Sequence, residues 1–348
     1  MDKKKNPFTT FITIAISIVF AVFFMWLALG DLDFSKIKHS LSEANYFWVF
    51  ASIISAIFAY AFRAIRWNLL LEPMGYQIKN SNAFWTISFG YMMNLTIPRS
   101  GELARATALY GVEKIPVEKS FATIVIERVV DLCFMFLFLA FTFVLNTQVL
   151  KLFFDRLTNY KGEEQQKNSA TDDFLINLGI ENITQFYFYL KIISLGLIVL
   201  VFSFLFLKFR DKFISFAKGI LEGLLSIFKM KKQFKFFLYS SGIWLCYFLS
   251  AYFICLALEE TAVFSLGDIF LVITAGSLGM MVPTSGGAGS FHIAIKLAIA
   301  GIFVSWGKDQ HLGEEIGLTY AILSHSTHML YMLVMGLISL PILMKRKL

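Results

Sequence analysis

Residues 97–105 read Ile-Pro-Arg-Ser-Gly-Glu-Leu-Ala-Arg, and residues 122–131 read Ala-Thr-Ile-Val-Ile-Glu-Arg-Val-Val-Asp. These charged residues occur in a chain of 348 residues of which 57% are apolar and only 16% are charged. An ionisable side chain at the centre of a membrane helix costs roughly 2.5 to 3.5 kcal/mol on insertion scales. Carboxylates and guanidinium groups so close together in an apolar chain therefore predict mutual pairing or a polar cavity, and with it transport or lipid chemistry.

The composition predicts an all-α polytopic membrane protein forming one domain over residues 1–348. The net charge of +7 comes from basic residues in short segments between apolar runs, a pattern that favours a membrane surface over nucleic acid. The three cysteines lie in apolar stretches without metal-ligand spacing, so we predict neither a metal nor another cofactor.

Six apolar stretches have, or nearly have, the length needed to cross about 30 Å of hydrocarbon at about 1.5 Å per residue. They cover residues 8–29, 46–62, 121–145, 186–207, 236–258 and 318–343. The first is too long for a signal-peptide core and lacks a small-residue cleavage site, so we interpret it as a retained helix.

Two further apolar regions, residues 83–112 and 269–304, are interrupted by proline and glycine. Each half is too short to span alone. Irregular backbone at membrane depth is tolerated only where protein or a water-filled cavity satisfies its polar groups. We therefore predict two re-entrant helix pairs, with turns at Pro98 and Gly101 and at Pro283 and Gly286.

With re-entrant pairs, the positive-inside rule gives a consistent topology in a bacterial-type plasma membrane, with both termini cytoplasmic. The inner segments would be Lys3–Lys5, the segment with Arg63, Arg66 and Lys79, the segment with Lys114 and Lys119, the basic loop 208–235, and the tail 345–347. The outer segments would hold acidic pairs such as Glu259 and Glu260 and the polar loop 146–185.

The order helix, helix, re-entrant pair, helix then occurs twice, entering from opposite sides. We predict two inverted repeats, residues 8–145 and 186–344, on the plan of transporters whose broken helices meet near the midplane. Aligning Pro98 with Pro283 also brings Gly101 onto Gly286.

The predicted substrate-binding residues are of two kinds. Glu127, Arg128 and Asp131 share one face of a helix, where they would bind a headgroup or merely neutralise one another, with Glu127 paired to Arg99 or Arg105. Arg99, Glu102 and Arg105 follow the break at Pro98, where a helix N-terminus and a guanidinium group suit a phosphate, although a charged loop at the inner interface is an equal alternative.

Histidines form the other group of candidates. His292 follows the second break, and His325 and His328 form a polar band in the last helix. A metal site would need further ligands, so hydrogen bonding between helices is favoured over metal binding, and a proton relay remains open. No catalytic motif is present, so we expect no catalytic residues.

The two quoted runs resemble the signature of the lysylphosphatidylglycerol synthase transmembrane-region family, which is described as flippase-like. The resemblance implies movement of phospholipid between leaflets. It does not imply synthase activity, because the soluble synthase domain is absent from this sequence. The second break departs from the family pattern, with Pro283-Thr284-Ser285-Gly286-Gly287 and His292 in place of Pro-Gly-Gly and a downstream glutamate.

The sequence therefore predicts a lipid translocase whose partners are membrane lipids, anionic or aminoacylated phospholipids among them. The oligomeric state is not set, and a homodimer is allowed. The alternatives are an intramembrane enzyme or accessory subunit in polyprenyl-linked glycan or lipid modification, and a regulatory partner without transport of its own.

Overall fold

The computed structural model describes residues 34–97, 99–147, 149, 231–282 and 284–346, all of which belong to one compact unit of the chain. These residues form helices and no strand. The predicted spans 8–29 and 186–207, and nearly all of the loops 146–185 and 208–235, lie outside the described residues.

Nine α-helices make up the described part of the chain. In chain order they are α1 (Phe34–Glu43), α2 (Tyr46–Leu71), α3 (Asn80–Thr96), α4 (Gly101–Glu113), α5 (Val117–Leu145), α6 (Gln233–Ala257), α7 (Leu266–Met280), α8 (Ser290–Ser305) and α9 (Gln310–Arg346). Within the described ranges, four segments are long and apolar enough to cross a membrane: Tyr46–Met74, Val117–Leu145, Gln233–Ala257 and Gln310–Arg346. The prediction of a helical, membrane-spanning chain is confirmed at this level.

Helix α2 is longer than the sequence predicted. Arg63 and Arg66 were assigned to an inner segment beyond a helix ending at residue 62, and that assignment is wrong. Both residues belong to α2, and their side chains are buried. They need not reach water, because Asp131 pairs with both of them. The helix begins after Asn45, whose side chain accepts from the Phe47 amide, and it ends before a short turn that contains Pro73.

The first broken region is a helical hairpin. Helices α3 and α4 lie side by side and antiparallel, with close contacts in one register: Asn82 with Glu113, Gly90 with Arg105, and Asn94 with Gly101. A Cβ atom at Gly90 would lie 2.7 Å from the Gly101 carbonyl oxygen, so glycine is needed for this approach. The predicted return of the chain at the break is therefore seen in the fold.

The second broken region is also a hairpin. Gly279 of α7 lies against Ser290 and Ala294 of α8, and Gly276 lies against Phe291. The turn between the helices includes Gly286 and other glycines with positive φ, a backbone conformation that side chains rarely adopt. Both breaks thus fold the chain back beside itself.

The helices pack across the two parts of the sequence. Helix α2 packs on α6, α3 of the first hairpin packs on α9, and α7 of the second hairpin packs on α5. Two large apolar clusters form the core of the described part. One is built mainly from α6 to α9, and the other mainly from α2 to α4.

Contacts between helix ends define one end of the unit. The Lys232 ammonium group before α6 donates to the Glu72 carboxylate after α2, at 2.6 Å. Arg346 at the end of α9 donates to Ser81 and Asn82 at the start of α3. Among the described residues, the chain around residues 72–82, Lys232 and Arg346 therefore lies together at one end of the fold.

Candidate functional site

A buried ion network joins α2, α4 and α5. Arg63 donates to one carboxylate oxygen of Asp131 at 2.9 Å, and Arg66 donates to the other at 2.8 Å. The Arg63 and Arg66 side chains are 2% and 0% exposed. Because two guanidinium groups hold one carboxylate from both sides, the orientation of Asp131 is fixed.

The second part of the network links the first hairpin to α5. Arg105 of α4 donates to Glu127 at 2.6 Å, which confirms the prediction that Arg99 or Arg105 approaches Glu127. The Arg105 guanidinium also lies 3.6 Å from the centre of the Trp67 ring, a cation–π contact. Arg66 is the other cation near Glu127, with its Nε 3.6 Å from a carboxylate oxygen. Glu127 therefore pins α4 to α5, as the structural alternative predicted.

Arg128 lies at the edge of the network. It pairs with Glu102 at 2.8 Å and approaches Asp131 at 3.6 Å, and 40% of its side chain is exposed. Its pairing with Asp131 was predicted from their spacing. Unlike Arg66 and Arg105, it retains an accessible guanidinium group.

The turns of the two hairpins meet. Arg99 in the first turn donates to the Met281 carbonyl oxygen in the second, at 2.6 Å. A Cβ atom at Gly286 would lie 3.4 Å from the Leu95 side chain, so the backbone of the second turn also approaches α3. Arg99 therefore links the breaks rather than joining the ion network.

A cavity of about 400 Å³ lies between the hairpins and the long helices, and we call it the central cavity. Arg63, Arg128, Asp131 and Tyr247 line it, and Arg63 donates to the Tyr247 hydroxyl at 3.0 Å. A second set of polar lining residues is Ser250, Ser277, Ser324, His325 and His328. The volume lies in the usual range for ligand pockets.

Hydrogen bonds set the tautomers of two histidines. His328 Nδ1 is 2.8 Å from the Ser324 carbonyl oxygen, which only accepts, so in the neutral ring Nε2 accepts from the Ser250 hydroxyl at 3.2 Å. His325 Nε2 donates to the Gly286 carbonyl oxygen at 2.8 Å. The predicted helix-to-helix hydrogen bonding is thus found at His328, while His325 holds the second turn.

The nine predicted site residues divide between the cavity and its support. Arg128, Asp131, His325 and His328 line the central cavity, whereas Arg99, Glu102, Arg105, Glu127 and His292 do not. His292 is buried beside His325, with the ring centres 4.9 Å apart, and its Nδ1 has no hydrogen-bond partner. In the part of the chain that the structure describes, no three side chains of metal-ligand type come together.

Sequence reasoning missed Arg63, Arg66, Tyr60 and Tyr247. Arg63 and Arg66 are three residues apart and so share a helix face, a spacing that matches an acidic face on another helix. That signal was available in the sequence. Nothing in the sequence marked the two tyrosines among the 13 in the chain.

A larger cavity of about 710 Å³ lies near the end of α5 and the start of α7, lined by Asn146, Asp268, Trp306 and Lys308 among others. The described residues place no ion network beside it, and the Asp268 carboxylate is used to cap α7. The candidate site is therefore the central cavity, where the ion network lies beside both hairpins.

A comparison with known protein families gives a match that includes the charged motif. Residues 14–157 match the family model described as the lysylphosphatidylglycerol synthase TM region. The predicted resemblance is confirmed. The match to this synthase TM region includes every arginine and carboxylate of the buried network.

Two relatives each match about a third of the chain. A UPF0104 membrane protein of Methanocaldococcus jannaschii is 28% identical over 130 residues, which is 36% of this chain and 38% of the relative. The glycosyltransferase AglD of Haloferax volcanii is 28% identical over 122 residues, which is 35% of this chain and 20% of the relative. The chain thus covers well under half of either relative. No solved structure matches it.

Proposed function

We propose that this chain moves the headgroup of a phospholipid or related lipid across the bilayer, as a flippase-like translocase. The observation that carries the proposal is the central cavity, which has guanidinium groups and histidines in its wall. These polar groups lie among helices that are long and apolar enough to cross a membrane. A headgroup leaving water needs such polar contacts, whereas the acyl chains remain stable in lipid. The match to the synthase TM region supports a lipid-related role.

An inverted repeat would supply the alternating access that translocation requires. The order long helix, hairpin, long helix occurs twice, in α2 to α5 and in α6 to α9. Each hairpin packs on the final long helix of the other half, and the hairpin turns meet through Arg99 and Met281. These exchanged contacts support two halves that rock around a shared cavity.

Fluorescent-lipid exchange in proteoliposomes tests the proposal. The unmodified protein should make the inner-leaflet pool of a labelled lipid reducible by external dithionite, faster than in protein-free vesicles of the same composition. Anionic, zwitterionic, aminoacylated and polyprenyl lipids should be compared. If the protein accelerates the exchange of none of the four lipid classes, the result contradicts the translocase function.

We also propose that both termini face the cytoplasm, because the basic segments meet at the end of the fold marked by Lys232 and Arg346. In a Cys133→Ser background, an impermeant thiol reagent applied to intact cells should label Glu259→Cys but spare Lys119→Cys. The two remaining cysteines are buried. Labelling of Lys119→Cys with sparing of Glu259→Cys would reverse the orientation.

A second candidate is an intramembrane enzyme or accessory subunit of lipid-linked glycan assembly or lipid modification. The observation favouring it is the match to a protein named as a glycosyltransferase. A product formed by the purified chain, or a stably co-purifying transferase together with an inactive exchange assay, would favour this candidate.

A further inference from the structure

The ion network carries more positive than negative charge. Among the described residues it contains four arginines and three carboxylates, which leaves one positive charge over: Arg63, Arg66, Arg105 and Arg128 against Glu102, Glu127 and Asp131. An uncompensated charge in an apolar environment is costly. A bound anion would lower that cost.

The carboxylates of the network are already paired. Asp131 is held by Arg63, Arg66 and Arg128, and it is the one carboxylate among the described residues that lines the central cavity. An ammonium group entering the cavity would meet a carboxylate whose negative charge three guanidinium groups already offset. An amine on the headgroup is therefore less favoured here than a phosphate.

Hydrogen-bond donors remain available beside the excess charge. Tyr60 lines the cavity, is 5% exposed, and its hydroxyl has no hydrogen-bond partner. The Nε of Arg63, which is 2% exposed, is likewise without a partner. The Tyr247 hydroxyl accepts from Arg63 and so retains its own proton to donate. With Arg128, these groups make a set of donors suited to phosphate oxygens.

Much of the remaining wall is apolar, with Val272, Ile273, Met280, Met329 and Met332. Such a wall suits a hydrocarbon chain rather than a sugar or polyol. We infer that the central cavity binds a lipid whose headgroup is a phosphate without an amine, such as a diacylglycerol phosphate or a polyprenyl monophosphate. The inference rests on the proposed function in taking a membrane lipid as the ligand.

Binding to the purified chain in detergent tests the inference separately from transport. Native mass spectrometry should compare phosphatidic acid, a polyprenyl monophosphate, phosphatidylethanolamine and phosphatidylcholine, and inorganic phosphate should serve as a competitor. We expect the two lipid phosphates to bind at least about tenfold more tightly than the amine-bearing lipids. Inorganic phosphate alone should compete weakly, because it lacks the hydrocarbon chain.

Variants test the location of the phosphate. Arg128→Gln should weaken phosphatidic acid binding by about tenfold or more, and Tyr247→Phe should weaken it less, since it removes one neutral donor. Lys119→Gln, which removes an exposed charge from the same helix, should leave binding unchanged. If Arg128→Gln fails to fold, Tyr247→Phe carries the comparison alone.

Equal or tighter binding of an amine-bearing lipid would overturn the inference, as would unchanged binding in these variants. Competition by inorganic phosphate as strong as by the lipids would also overturn it, in favour of a free-phosphate site. If the lipid phosphates bind but no lipid is exchanged, the translocase function fails and this inference stands. If amine-bearing lipids are exchanged without phosphatidic acid binding, the inference fails and the function stands.

Discussion

Replacing Glu127 with alanine should destabilise the chain by about 3 to 5 kcal/mol, because removing one member of a buried pair leaves a charge uncompensated. Glu127 is fully buried and holds Arg105 at 2.6 Å, with Arg66 close by. Two guanidinium groups would lose this partner at once, and α4 would lose its ionic attachment to α5. Thermal unfolding of the purified protein in detergent, followed by size-exclusion chromatography, measures the effect.

Glu102→Ala is the matched control. Glu102 also pairs with an arginine, but its side chain is 27% exposed and its partner Arg128 is 40% exposed. The expected loss is about 1 kcal/mol or less. Equal stability of Glu127→Ala and the parent would show that the network does not hold the fold.

A compensating double variant separates the pair from other effects. Because two apolar side chains can replace a buried ion pair at little cost, Glu127→Leu with Arg105→Met should recover part of the lost stability. The double variant should be more stable than Glu127→Leu alone, since the two residues are in contact. A purely additive result would argue against direct coupling of Arg105 and Glu127.

The hairpins were predictable because proline and glycine interrupt apolar runs too short to cross alone. At membrane depth such breaks need protein around them, and folding back beside the same segment supplies it. Gly90 and Gly279 then allow the two helices of each hairpin to approach closely. The sequence shows these glycines, but it does not show which helix surfaces they bring into contact.

The length of α2 was less predictable for an electrostatic reason. The charge pattern predicts that Arg63 and Arg66 lie at the membrane surface, whereas pairing with Asp131 allows them to remain buried. Partners that are 65 and 68 residues away cannot be read from local spacing. The sequence predicted that Glu127 and Asp131 pair with cations. It predicted Arg105 and Arg128 among these partners, but not Arg63 and Arg66.

The cavity itself depends on packing between distant helices. Tyr247 and Ser250 of α6 line it beside Arg63 of α2, a placement fixed by the α2 and α6 contact rather than by any motif. The histidines were recognised as a polar band. Only the folded chain assigns His325 to the turn at Gly286 and His328 to the hydroxyl of Ser250.

Reversible blockage of the central cavity should stop lipid exchange. Ser277 of α7 lines the cavity, so a benzyl group attached to Ser277→Cys would occupy space that a passing headgroup needs. The neighbouring Leu278 does not line the cavity, is 45% exposed, and provides the control variant Leu278→Cys. Both variants would be made with Cys133→Ser and treated with a benzyl methanethiosulfonate reagent.

The exchange rate before modification, after modification, and after reduction is the most direct test that a headgroup passes through this cavity. We expect loss of exchange on modification of Ser277→Cys, recovery when a reductant removes the benzyl group, and no change in Leu278→Cys. Unchanged exchange in fully modified Ser277→Cys would contradict passage of the headgroup through this cavity.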